Sequence, residues 1–274
     1  MDDYKIFSFT DKDLTLEKFV ENSDKYFDKE LKCPSGGTYS VVDGEIICSI
    51  HGKIDETLKD TVKYDFSSDD FAMDQLANPI TNRELEDWEI VEKDGKKYLS
   101  NKKTGQNRIF LENDYSQYSI TSKLALGGDI LHGNGNTKRG RGYGISFETS
   151  TDKNGNDTGY IFQFDSGYST GKFLFRKRTN GRESSPFLVI EPSDVIPGFT
   201  NNYWTDEHDV KVDVTDHSPN KKQVKIYIDG TEITNGKEVI VDSLDKEKQN
   251  YVGIRTWDKS TVYAESLEYG EIKE

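Results

Sequence analysis

Residues 142–178 read GYGISFETSTDKNGNDTGYIFQFDSGYSTGKFLFRKR, and the rest of the chain is arranged around them. Three runs in this stretch alternate large apolar side chains with polar ones: Tyr143, Ile145 and Phe147; Tyr160, Phe162 and Phe164; Phe173 and Phe175. A period of two is the mark of a strand with one buried and one wet face. The connectors TDKNGNDT and DSGYSTG are rich in Gly, Asn, Asp and Ser, which supply positive φ angles and bond their own backbone, so they predict hairpin turns. A twisted antiparallel meander is therefore expected at the centre of the molecule.

The same pattern runs outward on both sides. WEIVEK, KKYLSNK, NRIFLE and YSQYSITSKLAL precede the meander; FLVIEP, HDVKVDVT, QVKIYIDG, KEVIVD, NYVGIRTW and STVYAESLEYGEI follow it. Separated by Gly, Asn and Asp turns, these runs predict two antiparallel sheets in a sandwich. Their combined span of about 190 residues suits a jelly roll better than an immunoglobulin domain. The predicted class is mainly β, an antiparallel jelly-roll β-sandwich over residues 86–274, with an acidic linker or second small layer over 54–85. A short helix capped by Ser67 or Ser68 is expected within that linker.

Fifty acidic residues against 36 basic give a formal net charge of -14, which argues against a nucleic-acid backbone or an anionic membrane as partner. No apolar run approaches the roughly 20 residues of a membrane helix, and no signal peptide is visible.

Residues 1–53 form a different module. Thr10, followed three residues later by Asp13, resembles a capping box, and Leu16, Phe19, Val20, Phe27 and Leu31 fall on one face at helical spacing. A helix is expected from about Asp11 to Lys32. Pro34 and Gly36-Gly37 end it, and TYSVV and EIICSI pair about Asp43-Gly44, bringing Cys33 and Cys48 into one neighbourhood. The helix followed by CPSGGTYSVVDGEIICSIHG resembles the C-terminal part of type IV pilins and pseudopilins of Gram-positive bacteria, where a CPxGGxY run, a hairpin and a C-x-x-H-G ending recur. The resemblance covers residues 11–53. It implies a minor pilin at the cell surface or in a pilus, with other pilins as partners. The family's processing site and hydrophobic anchoring helix are not in this sequence, so the resemblance implies a soluble form from which that half-helix has been removed. In an extracellular protein Cys33 and Cys48 read most simply as a disulfide. The alternatives are zinc held by Cys33, Cys48 and His51, or two packed free thiols.

The sandwich has a resemblance of its own. YSITSKLAL, then VKVDV followed by KIYIDG, then YVGIRTW and a final strand, repeat the order seen in concanavalin A-like lectin and glucanase domains, including laminin-G-like and levan-binding modules. The V-x-V-Y-x-D-G pattern of those domains is matched by Val224, Ile226, Tyr227, Asp229 and Gly230, and the resemblance spans residues 86–272. Such a shell carries lectins, hydrolases and structural spacers alike.

An enzyme is not expected. The E-x-D-x-x-E run of glucanases with this shell is absent, as are H-E-x-x-H and a phosphate loop. Glu148 and Asp165, each at a strand end, are the nearest carboxylates to a glycosidase pair. His132, His208 and His217 sit in polar loops. A binding role has more support, because sugar sites on sandwiches stack aromatic faces on the ring and hydrogen-bond its hydroxyls. Trp257 and Arg255, with Asp165 or Arg176 from the meander, are the expected site, and Tyr203 and Trp204 the next in line; Tyr168, Arg141 and Asp258 are neighbours. A lectin should hold Trp204 or Trp257 exposed beside Arg and Asp; a spacer should bury both. Arg176, Lys177 and Arg178 form a basic patch suited to an acidic glycan or to pairing with Glu183. The loop Asp152 to Asp157 alternates oxygen acceptors, as a structural calcium loop would, although its Asn-Gly-Asn is also explained as a hairpin connector.

Overall fold

The computed structural model describes residues 61–76, 85–127 and 141–272, with strand backbone at 39–42, 45–48 and 52–53. Two units separate along the chain, Met1–Lys59 and Asp60–Glu274. In the first, β1 (Tyr39–Val42) pairs antiparallel with β2 (Glu45–Cys48), Val42 opposite Glu45, and β3 (Gly52–Lys53) adds to β2. That is the hairpin expected about Asp43-Gly44. The helix expected over 11–32, Cys33, the side chains of Cys48 and His51, and His132 lie outside the described residues.

The second unit is an antiparallel jelly-roll sandwich. One sheet has seven strands: β7 (Asn107–Asn113), β9 (Gly142–Thr151), β10 (Asp157–Asp165), β11 (Lys172–Thr179), β12 (Arg182–Glu183), β13 (Leu188–Ile190) and β18 (Asn250–Thr256). Their order is β12-β11-β10-β9-β18-β7, with β13 also on β11. The other sheet has nine: β4 (Thr61–Asp65), β5 (Trp88–Lys93), β6 (Lys96–Asn101), β8 (Tyr118–Gly127), β14 (His208–Ser218), β15 (Lys221–Ile228), β16 (Thr231–Glu232), β17 (Ile240–Asp242) and β19 (Thr261–Glu271). They run β16-β15-β14-β8-β19-β6-β5, with β17 on β15 and β4 on β19.

The alternating side chains of the meander fill the space between the sheets. Tyr143, Ile145, Phe147, Phe162, Phe164, Phe173 and Phe175 meet Ile120, Leu124, Val210, Val212, Val214, Val224 and Ile226 from the other sheet, all buried. Along β19 the alternation changes phase: Val262 and Ala264 point inward, then Leu267 and Tyr269, and the ladder slips between Ala264 and Ser266. A bulge adds one residue and so transfers the inward set to the other parity. Asp229 and Gly230 both have positive φ, 50° and 77°, the geometry of a two-residue type I′ hairpin, as the Asp-Gly pair predicts.

Two expectations need correction. Within 54–85, Thr61–Asp65 is not linker; it is a strand paired to Ser266–Gly270 of β19. Phe66 and Leu76 beyond it are buried in the core, and residues 73–76 form a 3-10 turn. The middle of the outer face of the seven-stranded sheet is also not wet. Ser146, Ile161, Gln163 and Leu174, the alternate residues turned away from the core, are all buried.

Candidate functional site

Strand register brings distant residues together on that outer face. Asp165 lies opposite Lys172 on one side and Gly142 on the other. The next row sets Leu174, Gln163, Gly144, Arg255 and Arg108 side by side across five strands. The row after it sets Arg176, Ile161, Ser146, Gly253 and Phe110. Three of the expected site residues, Arg255, Asp165 and Arg176, thus share one face.

Trp257 joins them from just beyond β18. A Cβ built on Gly142 would lie 2.4 Å from Trp257 Cζ2 and 2.5 Å from the Phe164 carbonyl oxygen, so the indole lies directly against the glycine backbone. Glycine is required here for close approach. The residue is only 9% exposed. Trp257 is therefore on the expected face, but it does not offer the open indole expected of it.

Trp204 and Tyr203 lie elsewhere. Trp204 is fully buried, edge-on to Phe164 at 4.7 Å between centroids and against Phe173 and Phe199. Gly171, at φ 95°, leaves the room its ring fills. Tyr203 stacks on His208 at 3.9 Å. His208 binds Asp229 Oδ2 through Nδ1 at 2.6 Å and the Tyr203 carbonyl through Nε2 at 2.7 Å. These residues close the inner face of the sheet because an indole in so aromatic a corner gains more by packing than by facing water, and they lie apart from the other expected ligand residues.

The electrostatic centre of the outer face is Asp157, at the start of β10. Arg178 grips both its oxygens through Nε and Nη2, Arg255 Nη1 stands 3.3 Å from Oδ2, and Arg108 Nη1 3.4 Å from Oδ1. Burial works to raise the Asp157 pKa, but the Arg178 hydrogen bond and the three guanidinium charges outweigh it and hold the carboxyl below its usual range. Arg255 is lowered to about 10, first by burial and then by the like charge of Arg178. Glu183, on the edge strand, accepts from Arg178 Nη1 at 2.9 Å and Gln163 Nε2 at 3.0 Å; Gln163 Oε1 accepts from Arg176 Nε at 2.8 Å. Arg176 and Arg178 do pair with Glu183, and the patch extends to Arg108 and Arg255; Lys177, on the other parity, pairs with Asp242 instead. Asp165, at the other end of β10, is pushed up to about 7 by burial, although the Gly167 and Tyr168 amides and Arg176 favour its charge. Beside it Tyr168 is 36% exposed, with the Arg176 guanidinium 5.5 Å from its ring centre.

Arg108 and Asp157 are not among the expected ligand residues, and Arg178 is expected only as part of the basic patch. The signal available is the second parity of the strands: Arg108 beside Ile109, Arg176 and Arg178 one and three residues after Phe175, and Arg255 beside Ile254 all fall an odd number of residues from a core position, but only register shows that they converge.

The two carboxylates weighed for glycosidase chemistry do not form a pair. Asp165 lies opposite Gly142, six residues along β9 from Glu148, which at about 3.3 Å per residue is about 20 Å, well beyond the roughly 9.5 Å limit of such pairs. Glu148 has φ 45° where β9 slips register against both neighbours. Its carboxylate is buried, accepting from Tyr118 Oη at 2.9 Å and the Leu244 amide at 2.7 Å. It lies at the floor of a polar cleft of about 1340 Å³ at one end of the sandwich, walled by residues 113–116, 216–220 and 243–250. None of the expected ligand residues lines that cleft. Gly167 to Gly171 has the G-x-S-x-G spacing of a hydrolase nucleophile turn, but it joins β10 to β11 with no helix after it, so the spacing is hairpin chemistry here.

Among the described residues no three His, Cys, Asp or Glu side chains converge as metal ligands. In the loop considered for calcium, Asp152 Oδ1 accepts the Asn154 and Asn156 amides, both at 2.8 Å, and Oδ2 accepts Asn156 Nδ2 at 3.0 Å. Asp157 turns away to the arginines. Asp152 thus serves its own turn, while the Gly155 carbonyl accepts from Arg108.

No family model matches the chain, and no curated protein matches it. Among solved structures it is similar to alginate lyase Aly36B, at 12% identity over 78% of this chain and 98% of that one, TM-score 0.47. It is also similar to the potassium-bound carbohydrate recognition domain of Emp46p, at 12% identity over 77% and 96%, TM-score 0.47. A third is carbohydrate-binding module CBM66 from Bacillus subtilis, at 17% identity over 64% and 88%, TM-score 0.39. All three scores are below 0.5, so the fold assignment rests on the two sheets themselves.

Proposed function

We propose that the sandwich is a carbohydrate-binding module whose ligand lies on the outer face of the seven-stranded sheet. The observation that carries the reading is the convergence on that face of Trp257, Arg255, Asp165 and Arg176, which come from three strands and the turn after β18. Guanidinium, carboxyl and carboxamide groups in fixed array suit sugar hydroxyls, and aromatic rings at the border supply stacking surface. The finer reading is that a minor type IV pilin displays this module at the cell surface or pilus tip. It is supported by the resemblance of residues 11–53, and its partners would be other pilins.

The test is a glycan array probed with the full chain and with Trp257→Ala. Retention by the first and loss by the second is the expected result. The burial of both Trp204 and Trp257 favours a second reading, a structural subunit or spacer without ligand. Failure of the unaltered chain to retain any glycan would establish that reading in place of ours.

A further inference from the structure

Four guanidinium groups, those of Arg108, Arg176, Arg178 and Arg255, share the outer face with two salt-bridged carboxylates, Asp157 and Glu183. Their side chains are 12%, 15%, 3% and 4% exposed in that order. Burying a cation is costly unless it is paired, and here one carboxylate, Asp157, serves three arginines. Among the described residues, Arg108 Nε, Arg255 Nε and Ser146 Oγ are buried with no hydrogen-bond partner. The chain as a whole carries a formal charge of -14, so this cationic patch runs against its general character.

We infer that the outer face takes an acidic glycan, the carboxylate or sulfate of the sugar being bound by the arginine array. The inference rests on the carbohydrate reading above and names its ligand class. Guanidinium presents a planar fork that matches a carboxylate or sulfate with two parallel hydrogen bonds, which makes arginine the side chain suited to this work. Glu183 shows how the ligand is held. It stands on the two-residue edge strand β12 with its side chain 30% exposed, and it bridges Arg178, Gln163 and Arg176. A sugar carboxylate or sulfate entering from this edge takes the place of Glu183 on Arg176 and Arg178, with Tyr168 beside it.

The experiment titrates the full chain calorimetrically with polygalacturonate and with the same polymer fully methyl-esterified, which keeps the sugar and removes the charge. Dextran sulfate against dextran forms the sulfate arm, and inorganic sulfate controls for a bare anion. Expected is binding of a charged polymer at least about tenfold tighter than its neutral form, since a charge-assisted hydrogen bond is roughly twice as strong as a neutral one. Arg176→Gln, at the open edge of the array, weakens that binding about tenfold without lowering Tm. Glu183→Gln strengthens it, because the competing carboxylate is gone; a merely structural role for Glu183 would not give that sign. Equal binding of charged and neutral forms, or retention of neutral glycans alone on the array, overturns the inference and leaves the carbohydrate reading standing. Binding of inorganic sulfate as tightly as either polymer overturns the glycan assignment. Retention of no glycan of any kind overturns both readings.

Discussion

Trp204 and Trp257 test the two faces of one sheet. Trp204 packs against Phe164, Phe173 and Phe199 with its ring fully buried, so Trp204→Ala is expected to cost about 3–5 kcal/mol of stability, measured by urea unfolding. Trp257 lies outside that core cluster, against the backbone of Gly142 on the outer face. Trp257→Ala should lower stability less than Trp204→Ala and abolish glycan retention; a larger loss of stability with retention intact would make Trp257 a packing residue only. Asp165 adds a pH dependence. Its pKa rises from 3.8 to about 7 on folding, chiefly through burial. The protonated form therefore stabilises the fold fully below pH 3.8, and that contribution is lost as pH climbs to about 7. Across this window the Tm of the unaltered chain should fall relative to that of Asp165→Asn; parallel curves would show that Asp165 keeps an ordinary carboxyl pKa.

At the scale of elements, the bulged middle of β9 is held from the other sheet. Tyr118 Oη, on β8, donates to Glu148 Oε1 and accepts from the Glu148 amide, both at 2.9 Å. Tyr118→Phe strands a buried carboxylate oxygen and a buried amide, at an expected cost of about 1–3 kcal/mol, read as a shift in urea midpoint with unchanged slope. The alternation from Tyr143 to Phe175 was enough to place the meander, because a half-buried strand must show its inner face in every second residue. The edge pieces were harder to read. Thr61–Asp65 reads TVKYD amid acidic residues, and a strand of five residues paired along one side carries too short a pattern to separate from a linker. The arginine array was harder still. Each arginine is visible at an outward position, but convergence on Asp157 depends on cross-strand register, which is set by bulges and turns far from the residues themselves. Nor could the pattern distinguish an outer face that is polar because it is wet from one that is buried with its charges paired.

For the whole molecule, the strand Thr61–Asp65 decides where the sandwich can be cut. A chain of residues 60–274 should fold alone, whereas 86–274 lacks that strand and the buried Phe66 and Leu76. Comparing their thermal unfolding checks this; equal Tm values would show that the strand is dispensable. The same pairing has a mechanical consequence. Thr61 is opposite Gly270 and Asp65 opposite Ser266, so the first and last strands of the sandwich run antiparallel and their outer ends meet at one point. Tension applied between residues 60 and 272 acts on the Thr61–Gly270 end alone, and the ladder opens like a zipper, one bond at a time under low force. Tension applied at residue 60 and at a glycan seated on the seven-stranded sheet bypasses that fork. A tether loaded through its ligand would then hold where one loaded through its two chain ends yields.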